Sequence, residues 1–189
     1  MAEVLLYHHI QGLTPGVVAF ADALREAGHT VHTPDLFEGR TFASIEEGFG
    51  YAREVGLDVV RQRGADAVDG LGEALVYAGF SFGVTIAQQL AQTRPGARGA
   101  LLLCSCMPVA EYGERWPQDV PVQVHGKEGD EFFDEDLPAA RELVASSERV
   151  ELFVYPGDEH LFADSSLDAY DPDAAALLLE RVRAFLAPL

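Results

Sequence analysis

The feature that most constrains the fold of this chain is an alternation of short apolar runs with helical sequence patterns. The runs that we interpret as strands cover residues 4–7, 30–33, 74–79, 100–106, 120–124 and 150–155. Most of them are continuously apolar rather than alternating, which is typical of strands that are buried on both faces. Because strand–helix units repeat along the chain, we predict an α/β fold with a doubly wound, mainly parallel sheet.

The helical patterns lie between these runs, at residues 15–27, from about residue 44 onward, and at residues 84–92, 137–145 and 173–185. Thr14 and Pro15 are favourable at the start of the first helix, and Gly28 is favourable at its end. Three glycines in the second helical stretch predict breaks, namely Gly48, Gly50 and Gly56. Residues 107–119 contain two prolines and the only tryptophan, and we interpret them as a loop above the sheet.

The length of 189 residues is sufficient for one domain with a substantial core. No internal repeat, low-complexity segment or linker interrupts the strand–helix pattern, so we expect a single domain over residues 1–189. The formal net charge is −18, from 31 acidic and 13 basic side chains. Nucleic-acid binding depends on Lys and Arg that neutralise phosphates, so this charge balance argues against nucleic acid and other large anionic partners.

The cysteine content and the amino-terminal sequence give an expectation about location. Two cysteines in a chain of this size do not form a disulfide framework, which indicates a reducing compartment. Residues 1–20 lack a basic segment followed by an apolar one, and no apolar segment approaches the roughly 20 residues of a membrane helix. We therefore expect a cytoplasmic protein that does not bind membranes.

The strongest functional signal is Gly-Phe-Ser-Phe-Gly at residues 79–83, which fits the pattern G-x-S-x-G. It lies between a predicted strand and a predicted helix, which is the context of a nucleophile elbow. In such a turn the serine hydroxyl stands above the sheet, and the backbone N–H of Phe82, at the helix N-terminus, faces a bound oxyanion. We therefore predict that Ser81 is the nucleophile of an α/β-hydrolase. The simpler alternative is a strand-to-helix turn without chemistry.

A serine nucleophile needs a base and an acid that orients the base, and in this fold the chain order is Ser, then Asp or Glu, then His. Only His125 and His160 follow Ser81 in the sequence. His160 comes after the last predicted strand, where a loop can bring it over the serine, so we predict His160 as the base. For the acid we favour Asp130, because the turn at residues 126–129 can direct its carboxylate inward.

Some positions near the acid stay open at this point. Glu128 and Glu131 flank Asp130 and are the alternatives for the acid. His125 follows a predicted strand, and we favour a structural role for it over a role in a pocket.

The second oxyanion donor is expected in the loop after the first strand, at residues 8–13, with the backbone N–H of Ile10 or Gln11 as the donor. The adjacent His8 and His9 could indicate a metal site. Neighbouring side chains on an extended strand point in opposite directions, however, and no carboxylate or cysteine is close in the sequence. We therefore predict no metal.

Together these residues give the chain a resemblance to the dienelactone hydrolase family over nearly its whole length. The similar segments are residues 8–12, 27–37, 79–83, 130–133 and 155–162. They include the loop after the first strand, the elbow, the acid segment and the segment around His160. The resemblance implies an α/β-hydrolase without a lid domain, which opens small esters or lactones through a nucleophile–His–Asp triad and needs no cofactor.

The chain differs from the best-known members of that family at three positions. They have a cysteine in the elbow, where this chain has Ser81, and a glutamate at the position of His9. They also have an arginine for the substrate carboxylate after a Pro-Asp-Leu segment, where this chain has Gly39 followed by Arg40. The resemblance therefore implies the triad but not the dienelactone substrate, and His9 and Arg40 are candidate pocket residues.

The sequence thus predicts a serine hydrolase of small esters or lactones, in which Ser81, His160 and Asp130 carry the reaction. The side chains that could form an apolar substrate pocket are Phe80, Phe82, Met107, Trp116 and Phe162. Esterase, lactonase and thioesterase activity all stay open, as does the oligomeric state. An alternative is a non-catalytic protein of the same fold that binds a small molecule or has a regulatory role. A nucleotide-binding or flavodoxin-like domain is disfavoured, because the loop at residues 8–11 lacks the glycines of a phosphate loop.

Overall fold

The computed structural model describes residues 1–189, and its centre is a six-stranded parallel sheet. The strands, in chain order β1 to β6, are Glu3–Tyr7, Thr30–His32, Leu75–Phe80, Gly99–Leu103, Val122–Lys127 and Val150–Tyr155. The helices, in chain order α1 to α6, are Pro15–Glu26, Ile45–Val55, Leu57–Asp66, Phe82–Thr93, Glu131–Ser146 and Pro172–Leu186. The strand order across the sheet is β2-β1-β3-β4-β5-β6, and every pair is parallel.

Apolar side chains cover both faces of this sheet, as the continuous apolar runs predicted. Along β1, Leu5 and Tyr7 belong to one core, whereas Val4 and Leu6 belong to another. Since successive side chains on a strand point to opposite faces, the two cores lie on opposite sides of the sheet. Helices α2 to α5 contribute to the first core, and α1 and α6 contribute to the second. The predicted doubly wound α/β fold is therefore confirmed.

Three predicted boundaries at the carboxyl edge of the sheet differ from the structure. β5 ends at Lys127 rather than at residue 124, so the turn predicted at residues 126–129 is confined to residues 128 and 129. β4 ends at Leu103 rather than at residue 106, because Cys104 has a positive φ of 62° that turns the chain out of the sheet. α5 begins at Glu131 rather than at residue 137, because Asp130 accepts a hydrogen bond from the N–H of Phe132 and caps the helix. Glu131 and Asp134 in the first turn of α5 are stabilised by the positive end of the helix dipole.

Of the three glycines in the second helical stretch, only Gly56 ends a helix. Its φ of +101° separates α2 from α3. Gly48 and Gly50 lie inside α2, and a Cβ on Gly48 would come within 2.0 Å of the carbonyl oxygen of Ile10. Gly48 therefore permits a close contact between α2 and the loop after β1. None of the six helices is both long and apolar enough to cross a membrane.

Two buried histidines have pKa values well below that of a free histidine. In β5, Nδ1 of His125 lies 2.8 Å from the hydroxyl of Tyr155, and Nε2 lies 3.2 Å from the side-chain oxygen of Gln123. Burial, with a contribution from the charge of Arg181, lowers the pKa of His125 to about 3. His8 donates its Nδ1 hydrogen to a backbone carbonyl (2.7 Å), and burial lowers the pKa of His8 to about 4. Both side chains are therefore neutral at pH 7.

These two histidines predict a loss of stability in mild acid. An exposed histidine in the unfolded chain binds a proton near pH 6.5, whereas in the folded chain the pH must fall much further. As the pH falls below 6.5 the unfolded state binds more protons than the folded state, so the free energy of unfolding decreases. At pH 5, each histidine should have lowered the free energy of unfolding by about 2 kcal/mol relative to pH 7.

Urea unfolding at pH 7 and at pH 5 measures this loss. The control is His125→Gln, which keeps a hydrogen-bonding side chain at this position but cannot titrate. Between the two pH values the variant should lose about 2 kcal/mol less than the wild type. An equal loss in both proteins would contradict the prediction.

Candidate active site

Ser81 occupies the turn between β3 and α4. Its φ of 46° and ψ of −111° lie outside the regions that L-residues usually adopt, so the turn is strained. The backbone N–H of Ser81 donates to the carbonyl of Leu103 in β4 (2.7 Å), which holds the turn in place. Glycine is required on both sides of the serine. A Cβ on Gly79 would lie 2.4 Å from the backbone of Gly83, and one on Gly83 would lie 2.6 Å from the carbonyl oxygen of Tyr7.

The side chains of Ser81, His160 and Asp130 form a continuous hydrogen-bonded series. The Oγ of Ser81 lies 2.8 Å from Nε2 of His160, and Nδ1 of His160 lies 2.6 Å from Oδ2 of Asp130. The other oxygen of Asp130 accepts the N–H of Phe132 (3.1 Å) at the start of α5. A carboxylate oxygen only accepts, so Nδ1 of His160 carries a hydrogen and Nε2 presents its lone pair to the serine hydroxyl. With this geometry an imidazole can remove the proton of a serine.

The two alternative acids lie outside this series. Glu128 and Glu131 are exposed, and neither makes a hydrogen bond to His160. Asp130, in contrast, is 1% exposed. The ring of Phe132 packs against the imidazole of His160, with the ring centroids 4.7 Å apart. This packing leaves the histidine side chain only 9% exposed.

A buried lysine anchors the loop after β6, which carries His160. The Nζ of Lys127 donates to the carboxylates of Glu159 and Asp171, at 2.6 Å each, and its side chain is 1% exposed. Burial by itself would lower the pKa of Lys127, but the hydrogen bonds to Asp171 and Glu159 outweigh burial and raise this pKa. The lysine therefore joins two positions of the loop, one on each side of the histidine, to β5.

Two backbone N–H groups at this edge of the sheet have no hydrogen-bond partner within the protein. Phe82 is the first residue of α4, so its N–H has no acceptor in the helix. The N–H of Ile10 is also free, although Ile10 is 1% exposed. The N–H of Gln11 instead donates to Nδ1 of His9 (3.2 Å). Of the two predicted loop donors, only Ile10 is therefore available to an oxyanion.

The adjacent histidines bind to different parts of the structure. Nε2 of His8 accepts the N–H of Leu36 (3.0 Å), whereas Nε2 of His9 lies 2.7 Å from a carboxylate oxygen of Asp164. The sequence analysis could not identify Asp164 as a partner, because the two residues are 155 positions apart. No group of three or more His, Cys, Asp or Glu side chains is arranged to hold a metal ion.

A cavity of about 260 Å³ adjoins Ser81. Six of its lining side chains come from helices α2, α3 and α5, namely Phe49, Leu57, Arg61, Phe132, Glu135 and Asp136. The sequence analysis named none of these six, and it missed the last three because the predicted helix began at residue 137, after all of them. A signal was present: an N-cap at Asp130 places residues 132, 135 and 136 on one face of a helix, at spacings of three and four.

Six side chains that were predicted for the pocket do not line this cavity: His9, Arg40, Phe80, Met107, Trp116 and Phe162. The three aromatic side chains among them lie in the apolar core. Phe80 packs edge-to-face on Phe20, and Trp116 donates its indole N–H to the carbonyl of Val120 (2.8 Å). Phe162 packs on another aromatic side chain, with the ring centroids 5.2 Å apart. Of the side chains predicted for the pocket, only Phe82 lines the cavity.

The other three predicted pocket residues, Arg40, Met107 and His9, lie outside the cavity as well. Arg40 is exposed, with its guanidinium 5.0 Å from the ring centre of Tyr51. The backbone N–H of Met107 donates to the side chain of Gln88 (2.9 Å), and His9 is fully buried. The place of a residue in the sequence does not show which helix or strand its side chain packs against. For this reason the sequence predicted these six side chains for the pocket although they do not line the cavity.

The charges of the cavity come from two carboxylates and one guanidinium. Asp136 accepts hydrogen bonds from the hydroxyl of Ser105 (2.6 Å) and from the N–H of Cys106 (3.2 Å). Burial raises the pKa of Asp136, although both hydrogen bonds oppose this effect. With Glu135 and Asp136 against Arg61, the cavity does not offer the positive charge that an anionic substrate would require.

Comparison with known proteins gives a match over the whole fold. The model of the dienelactone hydrolase family matches residues 2–189. A search of curated proteins finds no match.

Three solved structures illustrate the similarity. The first is a dienelactone hydrolase-like promiscuous phosphotriesterase from metagenomic libraries (TM-score 0.77, 19% identity), with 100% of this chain and 87% of that chain covered. The second is a dienelactone hydrolase from Anabaena variabilis (TM-score 0.67, 16% identity, 100% and 86% covered). The third is a cold-adapted esterase from an Arctic intertidal metagenomic library (TM-score 0.67, 18% identity, 98% and 83% covered). At these identities the similarity shows the fold, which is the predicted α/β-hydrolase fold.

Proposed function

Because the chain belongs to the dienelactone hydrolase family and is a hydrolase of ester bonds, we propose that it cleaves small carboxylic esters or lactones through Ser81, His160 and Asp130. A single domain over residues 1–189 carries the whole reaction, without a cofactor. The observation that supports this proposal most directly is the hydrogen-bonded series from the serine hydroxyl through the imidazole to the buried carboxylate.

In the first step, Oγ of Ser81 attacks the carbonyl carbon while Nε2 of His160 takes the hydroxyl proton. Asp130 stabilises the imidazolium that forms and does not itself take the proton. The carbonyl oxygen becomes an oxyanion that accepts hydrogen bonds from the N–H groups of Phe82 and Ile10. Each of these donors contributes about 3 kcal/mol to the stability of the transition state. His160 then protonates the leaving oxygen as the carbon–oxygen bond breaks, which leaves an ester between Ser81 and the acyl group.

In the second step, water attacks this ester and His160 takes a proton from the water. The serine recovers its proton from the imidazolium as the acid leaves, so the enzyme returns to its starting state. A lactone follows the same path, except that the hydroxyl and the acid stay within one product molecule.

The cavity supports a small, uncharged substrate. Its volume is about 260 Å³, and Phe49, Leu57 and Phe132 give it apolar walls that suit a short acyl or alkyl group. The carboxylates of Glu135 and Asp136 lie in the same cavity and disfavour an anionic substrate such as a dienelactone carboxylate. The partner that we propose is therefore a small neutral ester or lactone.

Labelling with a fluorophosphonate tests this proposal, because the reagent reacts with an activated serine. Intact mass should show a single adduct on the wild type and none on Ser81→Ala or on His160→Ala. In a panel of small esters and lactones, neutral members should be hydrolysed faster than analogues of similar size that carry a carboxylate. A wild type that is neither labelled nor active on any member of the panel would instead favour a non-catalytic protein that binds a small molecule or has a regulatory role.

A further inference from the structure

His9 and Asp164 form a second buried histidine–carboxylate pair. Both side chains are 0% exposed, and Nε2 of His9 lies 2.7 Å from Oδ2 of Asp164. A buried carboxylate is costly unless hydrogen bonds or a charge compensate it. The proposed hydrolysis has no step for this pair, so its role needs a separate explanation.

The hydrogen bonds around His9 fix its imidazole in one tautomer. The N–H of Gln11 donates to Nδ1 of His9 (3.2 Å), so Nδ1 carries a lone pair and no hydrogen. The ring hydrogen is then on Nε2, which donates it to Asp164. The imidazole therefore joins the loop after β1 to Asp164. It also accepts the N–H of Gln11, whereas the neighbouring N–H of Ile10 has no partner in the protein.

Both oxygens of Asp164 are fully engaged. Oδ2 also accepts the hydroxyl hydrogen of Thr14, and Oδ1 accepts the N–H (2.9 Å) and the hydroxyl hydrogen (2.6 Å) of Ser166. Burial would raise the pKa of Asp164, but the hydrogen bonds from His9, Ser166 and Thr14 bring this pKa down to about 2. The carboxylate is therefore ionised at neutral pH, and it is held from several directions.

The pair connects the two loops on which the proposed reaction depends. Asp164 lies on the loop between β6 and α6, which also carries His160. His9 directly precedes Ile10. The backbone N–H of Ile10 is buried and has no hydrogen-bond partner, which is rare for a backbone N–H group in a folded protein. We propose that His9, held by Asp164, is a positioning residue that keeps the N–H of Ile10 directed at the oxyanion. This inference rests on the proposed function, because it assigns a determinant of transition-state binding in that same site.

Two substitutions of His9 separate its two hydrogen bonds. Asparagine can place its side-chain oxygen near the position of Nδ1 and accept the N–H of Gln11, but it does not reach Asp164. Glutamine reaches Asp164 with its amide N–H but has no acceptor beside Gln11. His9→Gln should therefore lower kcat by about 10- to 100-fold with KM unchanged within about 3-fold. His9→Asn keeps the hydrogen bond to Gln11 but loses the one to Asp164, so it should lower kcat less than His9→Gln does. It also removes one of the hydrogen bonds to the buried carboxylate of Asp164, and it should therefore lower the Tm more.

Comparing the kcat of the two variants with their stability distinguishes a positioning role of His9 from a purely structural one. If His9 were purely structural, kcat would follow the folded fraction, and His9→Asn, the less stable variant, would also be the less active one. Circular dichroism gives the folded fraction, and end-point labelling with the fluorophosphonate counts active sites, so kcat is compared per active site. Wild-type kcat per active site in His9→Gln, or activities that rank with stability, would overturn the proposal.

Asp164→Asn provides a second test if neither His9 variant folds. The amide keeps the size of the carboxylate but has only one accepting atom and no charge. It cannot satisfy His9, Thr14 and Ser166 at once, so it holds the ring of His9 less firmly. We expect kcat to fall about 10-fold at unchanged KM, and an unchanged kcat would overturn the inference. Failure of all three variants to fold would assign the pair a structural role and overturn it as well. An active wild type with unaffected variants overturns the inference alone, whereas an inert and unlabelled wild type overturns the proposed function with it.

Discussion

Replacing Ser81 with alanine is expected to reduce kcat for the hydrolysis of a small neutral ester by about 10⁴-fold or more. The variant lacks the one hydroxyl that is hydrogen-bonded to His160. The thiol of Cys104 lines the same cavity but cannot replace it, because burial raises the pKa of this thiol to about 12. Only the cavity and the two proposed oxyanion donors remain, and without a nucleophile they should give a small residual rate.

Steady-state kinetics with an ester of a chromogenic alcohol measure this loss. The matched control is Ser105→Ala, which removes a hydroxyl from the same cavity, where it donates to Asp136 (2.6 Å). We expect a far smaller loss of kcat in the control, because that hydroxyl has no contact with His160. A loss of kcat in Ser81→Ala no larger than the small loss in the control would exclude Ser81 as the nucleophile.

The fold was predictable because burial on both faces leaves a direct trace in the sequence. Each predicted strand corresponds to a strand of the sheet. Strands between two apolar cores need apolar side chains on both faces, so they appear in the sequence as continuous apolar runs. The positions of Ser81, Asp130 and His160 were predictable for a related reason. Each follows a strand of a parallel sheet, and the carboxyl ends of these strands lie along one edge. The hydrogen bonds between the three side chains fit this argument, while their roles in a reaction stay a proposal.

The walls of the cavity were not predictable in the same way. Phe49 and Arg61 come from α2 and α3, which contribute to the first core, and the orientation of these two side chains depends on how the helices pack in the folded chain. Phe80 and Trp116 lie close to the serine or to a strand end in the sequence, but their side chains are buried in the apolar core. The partner of His9 was also hidden, because a pair separated by 155 residues leaves no local pattern.

Asp130→Asn has the second of the two largest expected effects, a loss of about 10⁴-fold in kcat. The reason lies in the double role of this carboxylate. One oxygen accepts the N–H of Phe132 at the start of α5, and the other accepts the Nδ1 hydrogen of His160. An asparagine has one oxygen, and the helix N-terminus favours its use as the N-cap. The amide N–H₂ then faces Nδ1 and shifts the imidazole hydrogen to Nε2, where it faces Ser81 and the base is lost.

The same double role predicts that stability and activity respond differently in this variant. Because asparagine is a good N-cap, the Tm should change little while kcat falls by about 10⁴-fold. Glu128→Gln and Glu131→Gln are the matched controls, since each removes one negative charge next to Asp130 from an exposed side chain. Both controls should keep nearly wild-type kcat. A large loss of activity in Glu131→Gln, or a nearly active Asp130→Asn, would transfer the role of the acid to a neighbouring glutamate and would require His160 to turn away from the carboxylate that it contacts here.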